Sequence, residues 1–464
     1  MSSVLSALNI QTFLIGIIVL LIVYKLRRRW KYKLPPGPFT WPLIGNYEVM
    51  KAKFLHEICA KYTKIYGPIF TIKLGPFQMV VLNDINSVTE ALVKRKADFA
   101  NRPFIKSVDV FTEGGSDIAF ANYTPTWKLH RKIAGKALRQ YLAGNRLEEV
   151  VHSSMNKCLS LMAQENGPFD PENYIDLMVF NILHAVCFGK SAELDDPDFV
   201  RFMKIDRDFT DIIGKGFVED MFPIMYKIYP TKKYRTVKDI FDEMISIIAR
   251  KFREHEETFD CDNIRDFTDS LILTRKEAEQ DEEMMSQLTD THLRQTLVDI
   301  FRGKDRLPGV KDRESISYTE ATLHEAMRLG TVSAFGLPHY TMCDTQVGGY
   351  DVPKDTMVMI NHWALHHDPN YWKDVEKFDP TRYLDENGKL GMKPESWLPF
   401  SAGRRVCLGE SIAKPELHLI FATIMQRFEI TMPDGTNPEL ILGGSGLIPQ
   451  PAPFKIIVKD RNMT

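Results

Sequence analysis

A single cysteine in this sequence stands in a setting that suits a thiolate. Cys407 lies in the stretch LPFSAGRRVCLGESIAK, between Gly403 and Gly409 and just after two arginines. Loop N–H groups, nearby arginines and the positive end of a following helix all stabilise a thiolate. Glycines let the backbone approach a flat cofactor closely, because they carry no Cβ atom. The stretch therefore indicates either a thiolate ligand, such as one that binds haem iron, or a free cysteine that only packs in the interior.

Composition and the other cysteines exclude several classes of protein. The chain has 464 residues, 44% of them hydrophobic and 26% charged, which is an ordinary globular composition. Its formal net charge of −2 gives no indication of a nucleic-acid partner. The six cysteines contain no CxxC pair and no zinc-ligand spacing, and they are too few for a disulfide framework. A reducing compartment is therefore expected.

Helices are predicted to make up most of the body that positions Cys407. Apolar residues recur at helical spacing in long stretches from about Thr126 to Asp299, and a further helix is predicted from after Cys407 to about Phe428. Pro415 lies inside that last helix and is expected to bend it, because proline removes one helix hydrogen bond.

Two short regions are predicted to form strands. Residues 69–82 alternate around a turn at Gly75–Pro76, which indicates a hairpin, and Asp84 is expected to cap the helix that follows. Short β segments are predicted again between residues 338 and 362. Since no linker rich in Gly, Ser or Pro divides residues 34–464, we predict one domain over residues 31–464, mainly α with a smaller β region, of the α+β class.

The N-terminus is predicted to be a transmembrane anchor that covers residues 1–30. An apolar stretch from Leu8 to Leu26 reaches roughly the 20 residues that cross a bilayer, and it runs into KLRRRWKYK, which contains six basic residues. Basic charge after the apolar stretch, without a small-residue cleavage site, is unlike a cleaved signal peptide. The positive-inside rule then leaves the rest of the chain in the cytosol. The alternative is a buried core helix.

The residues around Cys407 also match a known motif. Five of them stand at the fixed positions of the haem-binding signature of the cytochrome P-450 family of haem-thiolate monooxygenases: Phe400, Gly403, Arg405, Cys407 and Gly409. The sequence resembles that family, and the resemblance implies the cytochrome P-450 fold with haem b as cofactor. It also implies that Cys407 is the catalytic thiolate ligand of the iron and that Phe400 and Arg405 lie beside the cofactor.

Other segments resemble the same family in the same order. WKLHR resembles its W-x-x-x-R helix, which implies that Trp127 and Arg131 contact the haem propionates, together with Arg405. His339 in LPHYT resembles a further propionate contact of one branch of the family. The segments RPF and INHWALHHDP look most like the steroid 17-alpha-hydroxylase group and the neighbouring oxidisers of aromatic hydrocarbons.

HEAMR resembles the E-x-x-R helix of this family. Glu325 and Arg328 are three residues apart, so they share a helix face and can pair. Arg382 in FDPTRYL resembles the third member of a structural ion network. The alternative is an ordinary solvated surface pair.

The resemblance implies an enzyme that inserts one oxygen atom of O2 into a lipophilic, steroid-like substrate. Such enzymes sit on the endoplasmic reticulum membrane with the catalytic domain in the cytosol. They take electrons from NADPH through the acidic NADPH–cytochrome P-450 reductase, and cytochrome b5 is a second candidate partner. Six basic residues have two interpretations, as a face complementary to the acidic reductase or as an ordinary solvated surface. They are Lys128, Lys132, Lys136, Arg139, Arg404 and Lys414.

One stretch departs from the family. Its distal helix carries an A-G-x-[DE]-T-[TS] segment whose acid and hydroxyl relay protons to bound dioxygen, and LTDTHLRQTLVDIF (residues 288–301) resembles only the first half of that helix. The next residues, RGKDRLPG, resemble the end of the following helix and its loop. We therefore predict an internal deletion at 301/302, on the order of 40 residues and longer than one long helix. The alternatives are a catalytically inactive haem- or partner-binding isoform, or a mis-spliced or mis-predicted product.

Overall fold

The computed structural model describes most of the chain after the predicted anchor. It describes residues 31–435 and 450–461 apart from 42–43, 111, 143–145, 194, 214–216, 222–224, 279–293 and 295–315, and in addition residues 13, 15–16, 19–20, 23 and 442–443. Most of the predicted anchor and the Phe301–Arg302 junction lie outside these described residues. Within them, none of the helices combines the length and the apolar character that a membrane crossing requires.

Helices dominate the described residues, as the sequence predicts. The α-helices before the predicted junction are α1 Tyr47–Lys51, α2 Leu55–Tyr66, α3 Ile85–Thr89, α4 Lys106–Asp109, α5 Pro125–Leu142, α6 Arg146–Met162, α7 Glu172–Phe188, α8 Pro197–Ile213, α9 Val218–Met221, α10 Met225–Ile228, α11 Lys232–Glu257 and α12 Phe267–Ala278. Those after it are α13 Ser317–Gly330, α14 His362–His366 and α15 Glu410–Arg427. Shorter turns of helix lie at Glu90–Lys94 (π) and at Pro380–Tyr383 and Gly403–Arg405 (both 3-10).

Among the described residues, the strands form one four-stranded sheet and three two-stranded ones. They are β1 Ile69–Leu74, β2 Phe77–Leu82, β3 His339–Tyr340, β4 Thr345–Val347, β5 Tyr350–Val352, β6 Met357–Ile360, β7 Phe428–Thr431, β8 Leu442–Gly443, β9 Gln450–Pro451 and β10 Ile457–Asp460. In the larger sheet the order is β1-β2-β6-β3, and only the β2–β6 pair is parallel. The two-stranded sheets pair β4 with β5, β7 with β10 and β8 with β9.

The hairpin and its neighbouring cap confirm the local predictions. Leu74 pairs with Phe77 across the turn, and Ile69 pairs with Leu82 at the far end of the antiparallel pair. The Asp84 carboxylate then accepts hydrogen bonds from the backbone N–H groups of Asn86 at 2.9 Å and Ser87 at 3.0 Å, which caps α3.

The helical core shows two kinds of burial pattern. α11 buries one side, with residues at three- and four-residue spacing: Tyr234, Val237, Ile240, Phe241, Met244, Ile247, Ile248 and Phe252. α7 is instead buried continuously from Met178 to Phe188, because it lies among α6, α8 and α12. α12 also packs on α5, and α15, which begins three residues after Cys407, packs on α6 and α13.

The predicted ion network is present and buried. Both oxygens of Glu325 accept hydrogen bonds from Arg328, each at 2.8 Å, and Arg382 Nε donates to the same carboxylate at 3.1 Å. Arg328 also donates to the carbonyl oxygens of His366 and Val375, each at 2.9 Å. A bidentate, fully buried arginine–carboxylate pair is geometrically specific. The network therefore joins α13 to α14 and to the chain that leads towards Cys407.

Candidate active site

The loop that carries Cys407 lies between a 3-10 turn and the first residue of α15. Gly403 has φ +74°, and a Cβ atom there would lie 1.9 Å from the carbonyl oxygen of Leu92, so only glycine fits. The Cys407 N–H donates to the carbonyl oxygen of Phe400 at 3.0 Å. The exposed thiol thus precedes an 18-residue helix by three positions, where the helix dipole favours a thiolate.

Cys407 lines a cavity of about 420 Å³, which we call the Cys407 cavity. Much of its wall is apolar, contributed by Ala134, Leu138, Leu183, Phe267, Met327, Leu337 and Ile412. These residues come from α5, α7, α12, α13, α15 and the segment before β3. The cavity therefore offers a soft sulfur ligand next to a surface that suits a flat or lipophilic molecule.

Arg405 lines the same cavity and is buried. Its guanidinium donates to the carbonyl oxygens of Ala100 at 2.7 Å, Ala121 at 2.6 Å and Ile118 at 3.2 Å. Burial, together with a smaller contribution from the neighbouring arginines, lowers the pKa of Arg405 to about 8. The three carbonyl groups hold the cation in place but carry no formal charge, so an anion in the cavity would stabilise it.

Arg102 is a cavity residue that the sequence analysis did not single out. It donates to the carbonyl oxygens of Ala119 at 2.9 Å and Pro338 at 2.8 Å, and it lines the Cys407 cavity. Burial lowers its pKa to about 9, an effect that Asp117 partly offsets. The sequence signal for this residue is the RPF segment, in which the resemblance alone assigns no role to Arg102.

Arg131 connects α5 to the Cys407 loop. Its guanidinium donates to the carbonyl oxygen of Val406 at 2.5 Å and lines the cavity. Burial lowers the pKa of Arg131, and the charge of Cys407 acts in the opposite direction. Arg131 is therefore close enough to Cys407 to favour its thiolate form.

Trp127 lies beside the arginines, and it is not among the residues that line the Cys407 cavity. Its indole N–H donates to the carbonyl oxygen of Ile118 at 2.8 Å, and the Arg405 guanidinium lies 4.0 Å from the centre of its ring. In this structure Trp127 therefore positions Arg405 through a cation–π contact.

His339 and Phe400 both line the Cys407 cavity. His339 Nδ1 lies 2.9 Å from the carbonyl oxygen of Phe99, and burial holds its pKa well below the usual range. The structure thus brings Cys407, Arg405 and Arg131 together with these two residues around one cavity.

This set of residues fits haem b. Three guanidinium groups meet at one cavity, the buried ones of Arg102 and Arg405 and the half-buried one of Arg131, and buried charge is costly unless it is paired. Haem b carries two carboxylates that would supply the missing negative charge, and arginine is the residue that binds carboxylates best. Cys407 offers the thiolate that iron accepts as an axial ligand.

A search against protein families finds one matching family along almost the whole chain. The model described as Cytochrome P450 matches residues 35–303 and 298–458, in two stretches that meet and overlap at residues 298–303.

Known proteins similar to this chain carry two kinds of name. The chain is 32% identical to the steroid 17-alpha-hydroxylase/17,20 lyase of Squalus acanthias, over 92% of each protein. It is 31% identical to the protein of that name in Gallus gallus, over 96% of this chain and 97% of the other. It is 30% identical to cytochrome P450 2U1 of Homo sapiens, over 97% of this chain and 93% of the other.

These alignments also contain residues that this chain lacks. The alignment with the Squalus acanthias protein spans 470 residues but takes up only 92% of the 464 residues of this chain, about 427. About 40 residues of that protein therefore have no counterpart here.

The family match extends from residue 35 to residue 458, and relatives at 30–32% identity cover more than nine-tenths of the chain. The arrangement around Cys407 agrees with both comparisons, and this chain belongs to the cytochrome P450 family.

Proposed function

We propose that this protein is built to insert one oxygen atom of O2 into a lipophilic, steroid-like substrate, with Cys407 as the axial ligand of haem iron. The observation that carries the proposal is the meeting of the Cys407 thiol, three arginines and an apolar wall at one cavity. Members of this family bind haem b through a cysteine thiolate and use electrons that derive from NADPH. The relatives named steroid 17-alpha-hydroxylase/17,20 lyase support the steroid-like class of substrate.

The residues of this chain have separable roles in that reaction. The haem supplies oxygen activation, which an axial thiolate promotes by donating electron density to the iron. Arg131 and the start of α15 keep Cys407 ionised. The two carboxylates of haem b are bound by Arg102, Arg131, Arg405 and His339. Trp127 contributes indirectly, because its ring positions Arg405. Leu183, Phe267 and Leu337 exclude water and contact the apolar substrate.

We also propose that the predicted deletion between Phe301 and Arg302 removes part of the distal helix. The family match in two stretches that overlap at residues 298–303 supports it, and so do the roughly 40 residues of the Squalus acanthias relative that have no counterpart here. These two observations favour the second candidate: an inactive haem- or partner-binding isoform, or a mis-spliced or mis-predicted product. Sequencing full-length transcripts across these two codons distinguishes a mis-predicted product from a transcribed one. A transcript that contains the short junction supports an isoform or a mis-spliced product, and its absence supports a mis-predicted one.

The electron donor is proposed to be NADPH–cytochrome P-450 reductase, with cytochrome b5 as a further partner. Lys128, Lys132 and Arg139 are exposed on α5, and Arg404 is exposed in the Cys407 loop. Two other members of the predicted basic face already have acidic partners in this chain, since Lys136 pairs with Glu277 and Lys414 pairs with Glu410 at 2.5 Å. The docking face is therefore expected to depend mainly on the first four residues.

An isotope experiment tests the proposed reaction. A version of the chain with a family-typical segment between Phe301 and Arg302 is supplied with haem, reductase and NADPH under 18O2, on a panel of steroids and polycyclic aromatics. We expect product that carries one labelled oxygen, none without reductase, and slower turnover at high ionic strength, because salt screens the basic face. Product whose oxygen comes from water, or no product on the whole panel, would contradict the proposal.

Residues 1–30 are proposed to anchor the protein in the endoplasmic reticulum membrane, with the body in the cytosol. Retention of the basic flank on the cytosolic side sets this orientation. Neutralising the flank should therefore give a mixture of orientations in a protease-protection assay, where the changed residues are Lys25, Arg27, Arg28, Arg29, Lys31 and Lys33. Neutralising basic residues of α11 is the control and should leave the topology unchanged. A single, unaltered orientation of the flank variant would show the anchor assignment to be wrong.

A further inference from the structure

His362 lies at the wall of the Cys407 cavity, at a position that the sequence analysis did not assign to the site. It is the first residue of α14 and follows β6 after the single capping residue Asn361. Only 4% of the residue is exposed, and it lines the cavity together with Cys407, His339 and Arg405.

A glycine makes room for the His362 ring. Gly336 has φ +56°, and a Cβ atom built on it would lie 2.7 Å from Cε1 and 3.2 Å from Nδ1 of His362. The Gly336 N–H donates to the carbonyl oxygen of Ser333 at 3.2 Å, which closes the turn against the ring. On this side the His362 ring therefore faces the backbone of Gly336 and not a flexible side chain, which restricts the position of the ring.

The His362 ring lacks the hydrogen bonds that its neighbours make. Within the part of the chain that the structure describes, neither of its nitrogens makes a hydrogen bond of good geometry, although the Ser333 backbone carbonyl lies close enough to act on the ring as a weak acceptor. By contrast, His366 lines the same cavity with Nδ1 2.9 Å from Thr331 Oγ1, and it accepts a hydrogen bond from the Leu398 N–H at 3.2 Å. A buried polar group without a partner costs stability, so such a group in a cavity points to a bound ligand that completes it.

The electrostatic surroundings indicate the charge of that ligand. Burial, opposed only by the weak hydrogen bond to the Ser333 backbone, lowers the pKa of His362 to about 4, so the ring is neutral near pH 7 and offers one N–H donor. His362 also contributes to the low pKa of His339, to which Arg102 and Arg405 contribute as well. The free donor therefore belongs to the electropositive part of the cavity and suits an anionic acceptor.

We propose that His362 donates a hydrogen bond to a carboxylate of the porphyrin that occupies the Cys407 cavity, as a binding residue additional to Arg102, Arg131, Arg405 and His339. This inference rests on the proposed haem-binding function, and it assigns a role to a residue that is not part of the signature around Cys407. The arginines attract the carboxylate by their charge, and His362 adds a directional hydrogen bond to it.

Fluorescence titration of the full chain with zinc protoporphyrin IX and with its dimethyl ester tests the inference. The ester has the same ring and metal but lacks the two negative charges. We expect His362→Leu to weaken binding of the free acid about tenfold and to leave binding of the ester nearly unchanged. His362→Gln should recover part of the loss, because its amide also donates a hydrogen bond. Thermal melting of each variant without porphyrin shows whether the fold is retained.

His367 provides a matched control on the same segment. It is also buried, but its Nδ1 already lies 2.9 Å from the carbonyl oxygen of Trp363, its ring stacks on Trp363, and it is not among the lining residues of the cavity. His367→Leu should therefore leave the selectivity for the free acid unchanged. If His362→Leu weakens both ligands equally, or neither, the inference fails while the proposed function stands. If the unaltered chain binds neither porphyrin, both fail.

Discussion

Cys407→Ser is expected to abolish the thiolate-type spectrum of the carbon monoxide adduct, measured in the version of the chain with a restored segment between Phe301 and Arg302. The serine hydroxyl is not ionised near neutral pH, so it cannot donate electron density to the iron as a thiolate does. In this structure the other contacts of the loop are made by backbone groups, such as the hydrogen bond from the Cys407 N–H to Phe400. The variant should therefore fold and lose only the ligand.

Two other exposed cysteines provide the controls. Cys261 and Cys343 are exposed like Cys407, but they lie on other segments and do not line the Cys407 cavity. Burial raises the pKa of Cys343 and Asp98 raises it further, whereas Cys407 lies near the Arg131 cation. Cys261→Ser and Cys343→Ser should keep the spectrum. Retention of the thiolate-type spectrum in Cys407→Ser would falsify the assignment of the ligand.

The chain as it stands is expected to turn over at least about 100-fold more slowly than the version with the restored segment, even with haem, reductase and NADPH. A positioned proton donor contributes about 100- to 10,000-fold to a rate and must lie within roughly 3 Å of its acceptor, directly or through one water. The residues that relay protons in this family have no counterpart in the sequence after Phe301. The deletion that we propose would therefore remove the proton donor.

The proposed loss of part of the distal helix would have a second consequence. That helix closes the side of the pocket opposite the thiolate, and a pocket that is open to water allows activated oxygen to escape before it reaches a carbon atom. NADPH consumption without organic product is then expected. Haem content, NADPH consumption and product are measured for both versions on the same substrates. Product formation by the short chain at a rate close to that of the restored one would contradict the proposed loss of function.

Local patterns in the sequence determined much of the fold and part of the site. The β1–β2 hairpin follows from alternation around Gly75–Pro76, and the cap of α3 follows from the reach of the Asp84 carboxylate to backbone N–H groups two and three residues ahead. The Glu325–Arg328 pair follows from helical spacing in the same way. Each of these contacts joins residues that are close along the chain, so residue type and spacing were sufficient to predict them.

Which residues come together at the Cys407 cavity was decided by the tertiary structure. The cavity brings together Arg102, Arg131 and Arg405, although the first and the last are about 300 residues apart in the sequence. Each of these arginines donates hydrogen bonds to backbone carbonyl groups. Every residue offers the same carbonyl group, so no pattern of side chains shows which of them will receive these donors. Similarly, the cation–π contact of Trp127, the pairing of Lys136 with Glu277 and the position of His362 beside Gly336 depend on how distant segments pack together. Packing decides them because a buried polar group takes its partner from whichever chain segment comes to lie beside it.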